Sequence, residues 1–337
     1  MQRKGILAAG NFIIDIVKMI EDWPVQEALV SITGQEKSNG GGPFNVLKDL
    51  SLLKVNFPLE AMGCIGDDDY GNMVIADLEA HGISTKAIQK HGTEPTSFTD
   101  VMTVQHTGKR TFFHNLGANR FFDVDEELLA ASNAKIFYLA YLMLLDNMDS
   151  FDGSRTKASI AFEKAKNLGF ITATDIVSRK GEKFKNVVSS ALPFVDYLFI
   201  NELEAELLTG IKLTEHELMP APDACVEACR QIFQKGVNQW VILHFPYGVV
   251  AVSKGGEIVK QGSVNIPPEM IVGAVGAGDA FAAGALAGIH EGKPMEDCLK
   301  LGVSCSATCL QAAASSAGIK PMADTLTFGK QLGFRVL

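Results

Sequence analysis

The chain has 337 residues, 47% of them hydrophobic and 20% charged, a composition that builds a large core without disulfides or a structural metal. Its 39 acidic residues outnumber 30 basic ones, and the formal net charge of -9 opposes binding to nucleic acid or anionic membranes. No apolar run reaches the ~18 residues that span a bilayer, and Met1 to Lys4 leads straight into a strand-like stretch rather than a secretory leader, so a cytoplasmic protein is expected.

Taken in chain order, Gly5 to Gly10 reads as a short buried strand and Phe12 to Ile20 as a second. The glycine run Gly40, Gly41, Gly42 opens a helix over Pro43 to Leu53. Leu59 to Ile65 reads as a strand ending at Gly66, and Gly71 to His81 as a helix closed by Gly82. Ser97 to Gln105 and Arg110 to His114 flank Thr107-Gly108 as a hairpin. A strand–helix rhythm follows: strand Ala134 to Leu139, helix Thr156 to Leu168, strand Ile171 to Asp175, strand Tyr197 to Ile200, helix Ala221 to Lys235 and strand Trp240 to Leu243. Gly248 to Ser253 and Glu257 to Gly262 form a hairpin over Gly255-Gly256. Helices are predicted over Gly278 to Ile289, Met295 to Leu301 and Val303 to Ala314. The alternation predicts an α/β fold with a mostly parallel sheet covered on both faces. Strands near residues 12–38 and 97–115 interrupt it and predict a small sheet standing off a single domain of residues 1–337. The six cysteines include two pairs four residues apart, Cys225 with Cys229 and Cys305 with Cys309; no further ligands complete a zinc pattern, so they read as small buried residues in a reducing compartment.

Four segments carry chemistry. In Gly273-Ala274-Val275-Gly276-Ala277-Gly278-Asp279, small residues lead into a helix whose unpaired N–H groups at Gly276, Ala277 and Gly278 can hold an anion, with Asp279 directly behind them. The same pattern also suits a plain turn with an acid at a helix start. No Gly-Lys-Ser/Thr follows it, and no G-x-G-x-x-G fingerprint marks a strand–helix junction. Asn201 and Glu204, three apart after an apolar strand, share a helix face and can hold magnesium-bound waters or a phosphate, or simply cap the helix. Asn39-Gly40-Gly41-Gly42-Pro43-Phe44-Asn45 brings backbone amides and the Asn45 side chain against a ligand, or makes a turn. Asp15 stands in the apolar run Phe12 to Val17, where a buried carboxylate needs a partner that a hydroxylated ligand would supply.

In this order the segments resemble the ribokinase-like, or PfkB, carbohydrate kinases across nearly the whole chain. The glycine run with Asn45 is similar to that family's N-terminal signature, and Gly276-Ala277-Gly278-Asp279 to its C-terminal one, with Asn201-x-x-Glu204 between. Gly63-Cys64-Ile65-Gly66-Asp67-Asp68 with Tyr70-Gly71 also looks like the family's segment after the first signature. The resemblance implies a three-layer ribokinase-like fold with a β-sheet lid, and ATP and Mg2+ as cofactors. It implies Asp279 as the base taking the acceptor hydroxyl's proton and Gly276, Ala277 and Gly278 as the anion hole. It places Asp15, Gly41, Gly42, Asn45, Arg110 and Asn119 on the acceptor side. Asn201, Glu204 and Gly248 fall on the ATP side, with Glu204 reaching magnesium through water. A homodimer through the lid also follows from the resemblance.

Some positions depart from the pattern. Gly273-Ala274 replaces the family's Asp-Thr, which helps bind potassium in many members, so activation by a monovalent cation is unsupported. His244 and Phe245 stand where the nucleotide loop often has glycine, Leu47 replaces a small residue, and Ser178-Arg179 only loosely matches Asp-x-Asn-x-Arg. The expected activity is ATP-dependent phosphorylation of a small sugar. The nearest alternative is a nucleoside kinase, with Phe12, Phe98, Phe112 or Phe113 as candidates to line a purine slot. A non-catalytic binding protein on the same fold, and an NAD-dependent oxidoreductase lacking its fingerprint, are rivals from other classes.

Overall fold

A computed structural model describes residues 3–179, 181–213 and 220–337. The chain opens with β1 (Ile6–Gly10), buried throughout, followed by the antiparallel pair β2 (Ile13–Ile20) and β3 (Ile32–Gly40). Helix α1 (Gly42–Leu52) has Pro43 in its first turn, where a missing N–H costs nothing. Then come β4 (Leu59–Gly66), α2 (Asp69–Ala80), capped by the Asp68 side chain accepting from Gly71 N, and β5 (Ser84–His91). The hairpin β6 (Phe98–Val104) and β7 (Arg110–Asn115) precedes α3 (Glu126–Ala131) and β8 (Ile136–Leu142). A two-residue ribbon, β9 (Phe151–Asp152) and β10 (Arg155–Thr156), leads to α4 (Lys157–Asn167), β11 (Ile171–Ile176), α5 (Phe184–Ala191), β12 (Tyr197–Asn201), α6 (Glu202–Thr209) and α7 (Pro222–Phe233). The last elements are β13 (Trp240–Phe245), β14 (Gly248–Ser253), β15 (Ile258–Gly262), α8 (Ala277–His290), α9 (Met295–Cys309) and α10 (Met322–Leu332).

Nine strands form one sheet in the order β15-β14-β13-β12-β11-β8-β1-β4-β5. All neighbours from β13 to β5 pair in parallel, and β14 and β15 add an antiparallel edge. A parallel sheet must be covered on both faces, and β1 shows how its residues serve two cores. Ile6 and Ala8 belong to the core on one face, with Leu50 of α1, Leu286 of α8 and Leu299 of α9, whereas Leu7 and Ala9 belong to the core on the other, with Phe162 of α4, Val188 of α5 and Cys229 of α7. The strand order reverses between β1 and β8, leaving a crevice at their carboxyl ends, the usual ligand position in open α/β sheets. From that end of β1 springs a second, four-stranded sheet in the order β3-β2-β6-β7.

The two helices predicted over Met295 to Leu301 and Val303 to Ala314 are one helix, α9, ending at Cys309. Gly302 does not break it, because its missing side chain lets α9 lie against α8. A Cβ there would stand 2.7 Å from the Phe281 ring, and one at Gly284 would stand 2.7 Å from Cys305 Sγ. All six cysteines are buried and free. No helix among the described residues is long and apolar enough to cross a membrane.

Candidate active site

Asp279 sits in the first turn of α8, buried at the crevice, behind an N-cap at Gly276 with φ +78°. L-residues avoid this region, and a Cβ on Gly276 would also stand 2.5 Å from Ser315 Cβ. Both Asp279 oxygens accept hydrogen bonds: Oδ2 from Asn45 Nδ2 of α1 at 2.8 Å, and Oδ1 from the Tyr141 hydroxyl at the end of β8. Asn45 Oδ1 in turn accepts from Ser315 Oγ at 2.9 Å. Burial lifts the Asp279 pKa to about 6 against the pull of these donors, and the neighbouring Asp15 charge adds to the rise. The carboxylate is thus fixed, ionised above neutrality and basic enough to take a proton.

Asp15 lies on β2, its pKa lifted to about 6 by burial and held back by the Thr99 hydroxyl and the Arg110 charge. Register places Arg110 opposite Thr103 on β6, on the same face of the four-stranded sheet as Asp15. The glycine run makes close approaches. A Cβ at Gly40 would stand 2.3 Å from Asp15 Oδ2, one at Gly41 2.2 Å from the Asn11 carbonyl oxygen, and one at Gly42 2.8 Å from the Tyr141 ring. The smallness of Gly41 and Gly42 thus already serves the protein's own packing.

Two of the expected site residues have partners within the protein itself. Asn119 is fully buried, and each of its amide atoms bonds Phe12: Oδ1 accepts from Phe12 N at 3.2 Å and Nδ2 donates one N–H to Phe12 O at 3.0 Å. It clamps the β1–β2 junction. Gly248 begins β14 under the C-terminus, where a Cβ would stand 2.5 Å from Leu337 Cδ1 and 2.6 Å from Gln261 O, so packing accounts for it.

On the opposite side of Asp279, Asn201 caps α6 in a capping box with Glu204. Asn201 Oδ1 accepts from Glu204 N at 2.9 Å, and Glu204 Oε2 accepts from Asn201 N at 2.9 Å. Ser178 Oγ donates to Glu204 Oε1 at 2.7 Å. The helix is capped, as one reading of the segment allowed, yet Glu204 is buried rather than a surface acid. Burial pushes its pKa up to about 7. Asp175, at the end of β11, is held well above the carboxylate range by burial, then by the charges of Glu204 and Asp279. Two buried acids facing each other in this way suit a divalent cation held mainly by phosphate and water. A dedicated cage is absent: no group of three or more His, Cys, Asp or Glu among the described residues could hold a metal. His244 is half-buried beside Gly278, and loss of hydration brings its pKa down to about 4, so it brings no positive charge to the helix start.

Tyr141, Asp175 and Ser315 join the site without having been singled out as site residues from sequence. Tyr141 sits in an apolar strand, where an aromatic side chain ordinarily packs.

The buried acids set a pH dependence of stability. Asp15, Asp149 and Asp279 rise from 3.8 to about 6, and Glu204 from 4.5 to about 7. A raised acid contributes stability that is complete below its unfolded pKa and lost as pH rises through its folded one. The ligand-free protein should therefore melt at a higher temperature near pH 5 than near pH 8. The lowered acids Asp68 and Asp77 act only below this window, whereas His244 and His290, lowered from 6.5 to about 4, oppose the trend up to pH 6.5 but are outnumbered by the raised acids. A melting temperature that is flat or rises over the same range would contradict the buried-acid account.

Residues 3–321 match a family model described as pfkB family carbohydrate kinase. The curated relative adenosine kinase 1 of Arabidopsis thaliana is 27% identical over 289 residues, covering 84% of this chain and 81% of its own. Among solved structures, Arabidopsis thaliana ribokinase complexed with ribose and ATP superposes with a TM-score of 0.79 at 21% identity, covering 98% of this chain and 99% of that one. An E. coli protein solved with ATP and Mg2+ gives a TM-score of 0.74 at 19% identity, covering 98% and 100%.

Proposed function

Because this chain belongs to the pfkB family of carbohydrate kinases, we propose that it transfers the γ-phosphoryl group of ATP to a hydroxyl of a small sugar, with Asp279 as general base. The observation that carries this reading is the Asp279 carboxylate, buried behind the Gly276–Gly278 helix start and gripped by Asn45 and Tyr141. The acceptor lies along Asp15, Gly41, Gly42 and Asn45, with Arg110 closing over it from the four-stranded sheet, which acts as a lid. Asp279 takes the proton from the acceptor hydroxyl as the new O–P bond forms and the bond to the ADP oxygen breaks. N–H groups at the start of α8 face the charge on the transferring group, and catalysis comes from alignment and charge stabilisation. The Ala277 N–H is partly engaged by Ala274 O at 3.4 Å, so Gly278 and Asp279 are the freer donors. Glu204, Asp175 and Asn201 would hold magnesium through its waters when it is bound with ATP, and the ion would there neutralise phosphate charge.

One feature favours a nucleoside acceptor as a second reading. Register places Phe112 opposite Val101 and His114 opposite Thr99, while Thr99 pairs with Asp15. Alternate strand residues share a face, so Phe112 lies on the Asp15 face of the lid. It is 61% exposed, a surface on which a base can stack. Phe12, in contrast, is wholly core, and Phe113 is stacked on Trp23 on the other face.

ADP release should be followed with magnesium and ATP over free sugars, sugar phosphates and nucleosides. A sugar acceptor with turnover unchanged in Phe112→Ala supports the first reading. A nucleoside acceptor whose KM rises about tenfold in that variant supports the second. ATP binding with no turnover on any acceptor would return the protein to a ligand-binding role. The exposed Trp23 and Phe113 pair supports pairing of two copies through their lids, and the six buried free thiols suit a reducing cytoplasm.

A further inference from the structure

A cavity of about 370 Å³ opens beside α1, on the face carrying Phe44, Lys48 and Leu52 one turn apart. Of the residues placed at the active site above, Ser315 alone lines it. Its polar wall is unbalanced. Asp77 is already satisfied, accepting from Asn39 Nδ2 at 2.7 Å and paired with Lys48 Nζ at 2.9 Å. Lys37 is exposed, its ammonium 4.9 Å from the centre of the Tyr70 ring, and it pairs with no carboxylate among the described residues. One positive charge is therefore left over. Asn39 is 6% exposed, and its Oδ1 has no hydrogen-bond partner. The buried Ser316 hydroxyl lies beside the fully buried Asp49 carboxylate but outside normal hydrogen-bond geometry, so it too is unsatisfied. A buried acceptor without a partner costs free energy unless something occupies the site. The rest of the wall, Phe44, Met73 and Ile319, is apolar.

We propose that this cavity is a second ligand site, taking a small hydroxylated organic phosphate. Its phosphate group sits at Lys37 and Lys48, and a ligand hydroxyl donates to Asn39 Oδ1. The ligand class rests on the kinase reading, since such an enzyme releases a hydroxylated phosphate ester. The cavity also touches the machinery: Ser315 lines it, and Ser315 donates to Asn45, which donates to Asp279. Occupancy therefore bears on the base through two hydrogen bonds.

Calorimetric titration of the full chain with D-ribose 5-phosphate, without ATP, tests the site. Because no turnover is involved, failure of the kinase reading leaves the result readable. Binding should be weakened roughly 10- to 100-fold in Lys37→Glu, with an intermediate loss in Lys37→Gln, and unchanged in Asp15→Ala. Lys37 is on the surface, and a thermal melt confirms that its variants fold. No binding to the unmodified protein overturns the proposal. So does binding that survives Lys37→Glu but disappears in Asp15→Ala, which would place the phosphate ester in the acceptor site. Equal affinity for inorganic phosphate would mean that Asn39 and the apolar wall contribute nothing, and the organic-ester assignment would fail.

Discussion

Asp279→Asn should lower turnover by about 10²–10⁴-fold, roughly 3–5 kcal/mol of barrier, while leaving ATP binding intact. The asparagine keeps the shape and can still accept from Asn45 or Tyr141, so the loss isolates proton removal from packing. The wild-type protein should show the same group in its pH profile. With the base titrating at about 6, kcat/KM should rise with pH through that value and then level off, because only the carboxylate accepts a proton. Tyr141 donates to the charged form and so lowers this pKa. Tyr141→Phe removes that support and should move the acidic limb to higher pH, a shift that a merely structural tyrosine would not produce. Turnover that survives Asp279→Asn would remove Asp279 from the base role.

The second large effect is expected at Gly276. An alanine there must adopt φ near +78°, and its Cβ would meet Ser315 Cβ at 2.5 Å and Ser315 Cα at 3.0 Å. The strain and the displaced loop together should cost about 2–3 kcal/mol of stability. Because Ser315 holds Asn45, the shift passes to Asp279, and because Gly276 starts the helix, its free N–H groups turn as well. Turnover should fall about 10²-fold or more. Gly278→Ala is the control. Its Cβ has an ordinary 3.7 Å contact with His244 Cε1, so the protein itself has room for it. A stable Gly278→Ala protein that loses turnover would show that this glycine leaves space for the phosphoryl group. Gly276→Ala with full activity would mean that the helix start does not hold it.

The parallel strands were legible because they are buried on both faces and so appear as continuous apolar runs, as in Ile6 to Ala9 and Val241 to Leu243. Strand β5 was not: it is the outer strand of the sheet, only half-buried, and Lys86, Gln89 and Lys90 erase its pattern. Asp279, Asn45 and Asp15 could be read because they adjoin glycine-rich turns or stand alone among apolar neighbours. Tyr141 could not, since a tyrosine inside a buried strand has packing as its default role. Asn119 and Gly248 are ambiguous for a related reason. An asparagine that clamps backbone and a glycine that makes room for the C-terminus look the same in sequence as ligand contacts.

The position of β1 has a consequence for synthesis. It precedes every other strand among the described residues, yet one of its two hydrogen-bonding edges is reserved for β8, which is complete only at Leu142. β4 covers the other edge much earlier, at Gly66. At ~5–20 residues per second, a ribosome leaves the β8 edge of a fully apolar strand open for several seconds. During that interval the nascent chain presents an unpaired template to any other strand, until β8 closes the centre of the sheet.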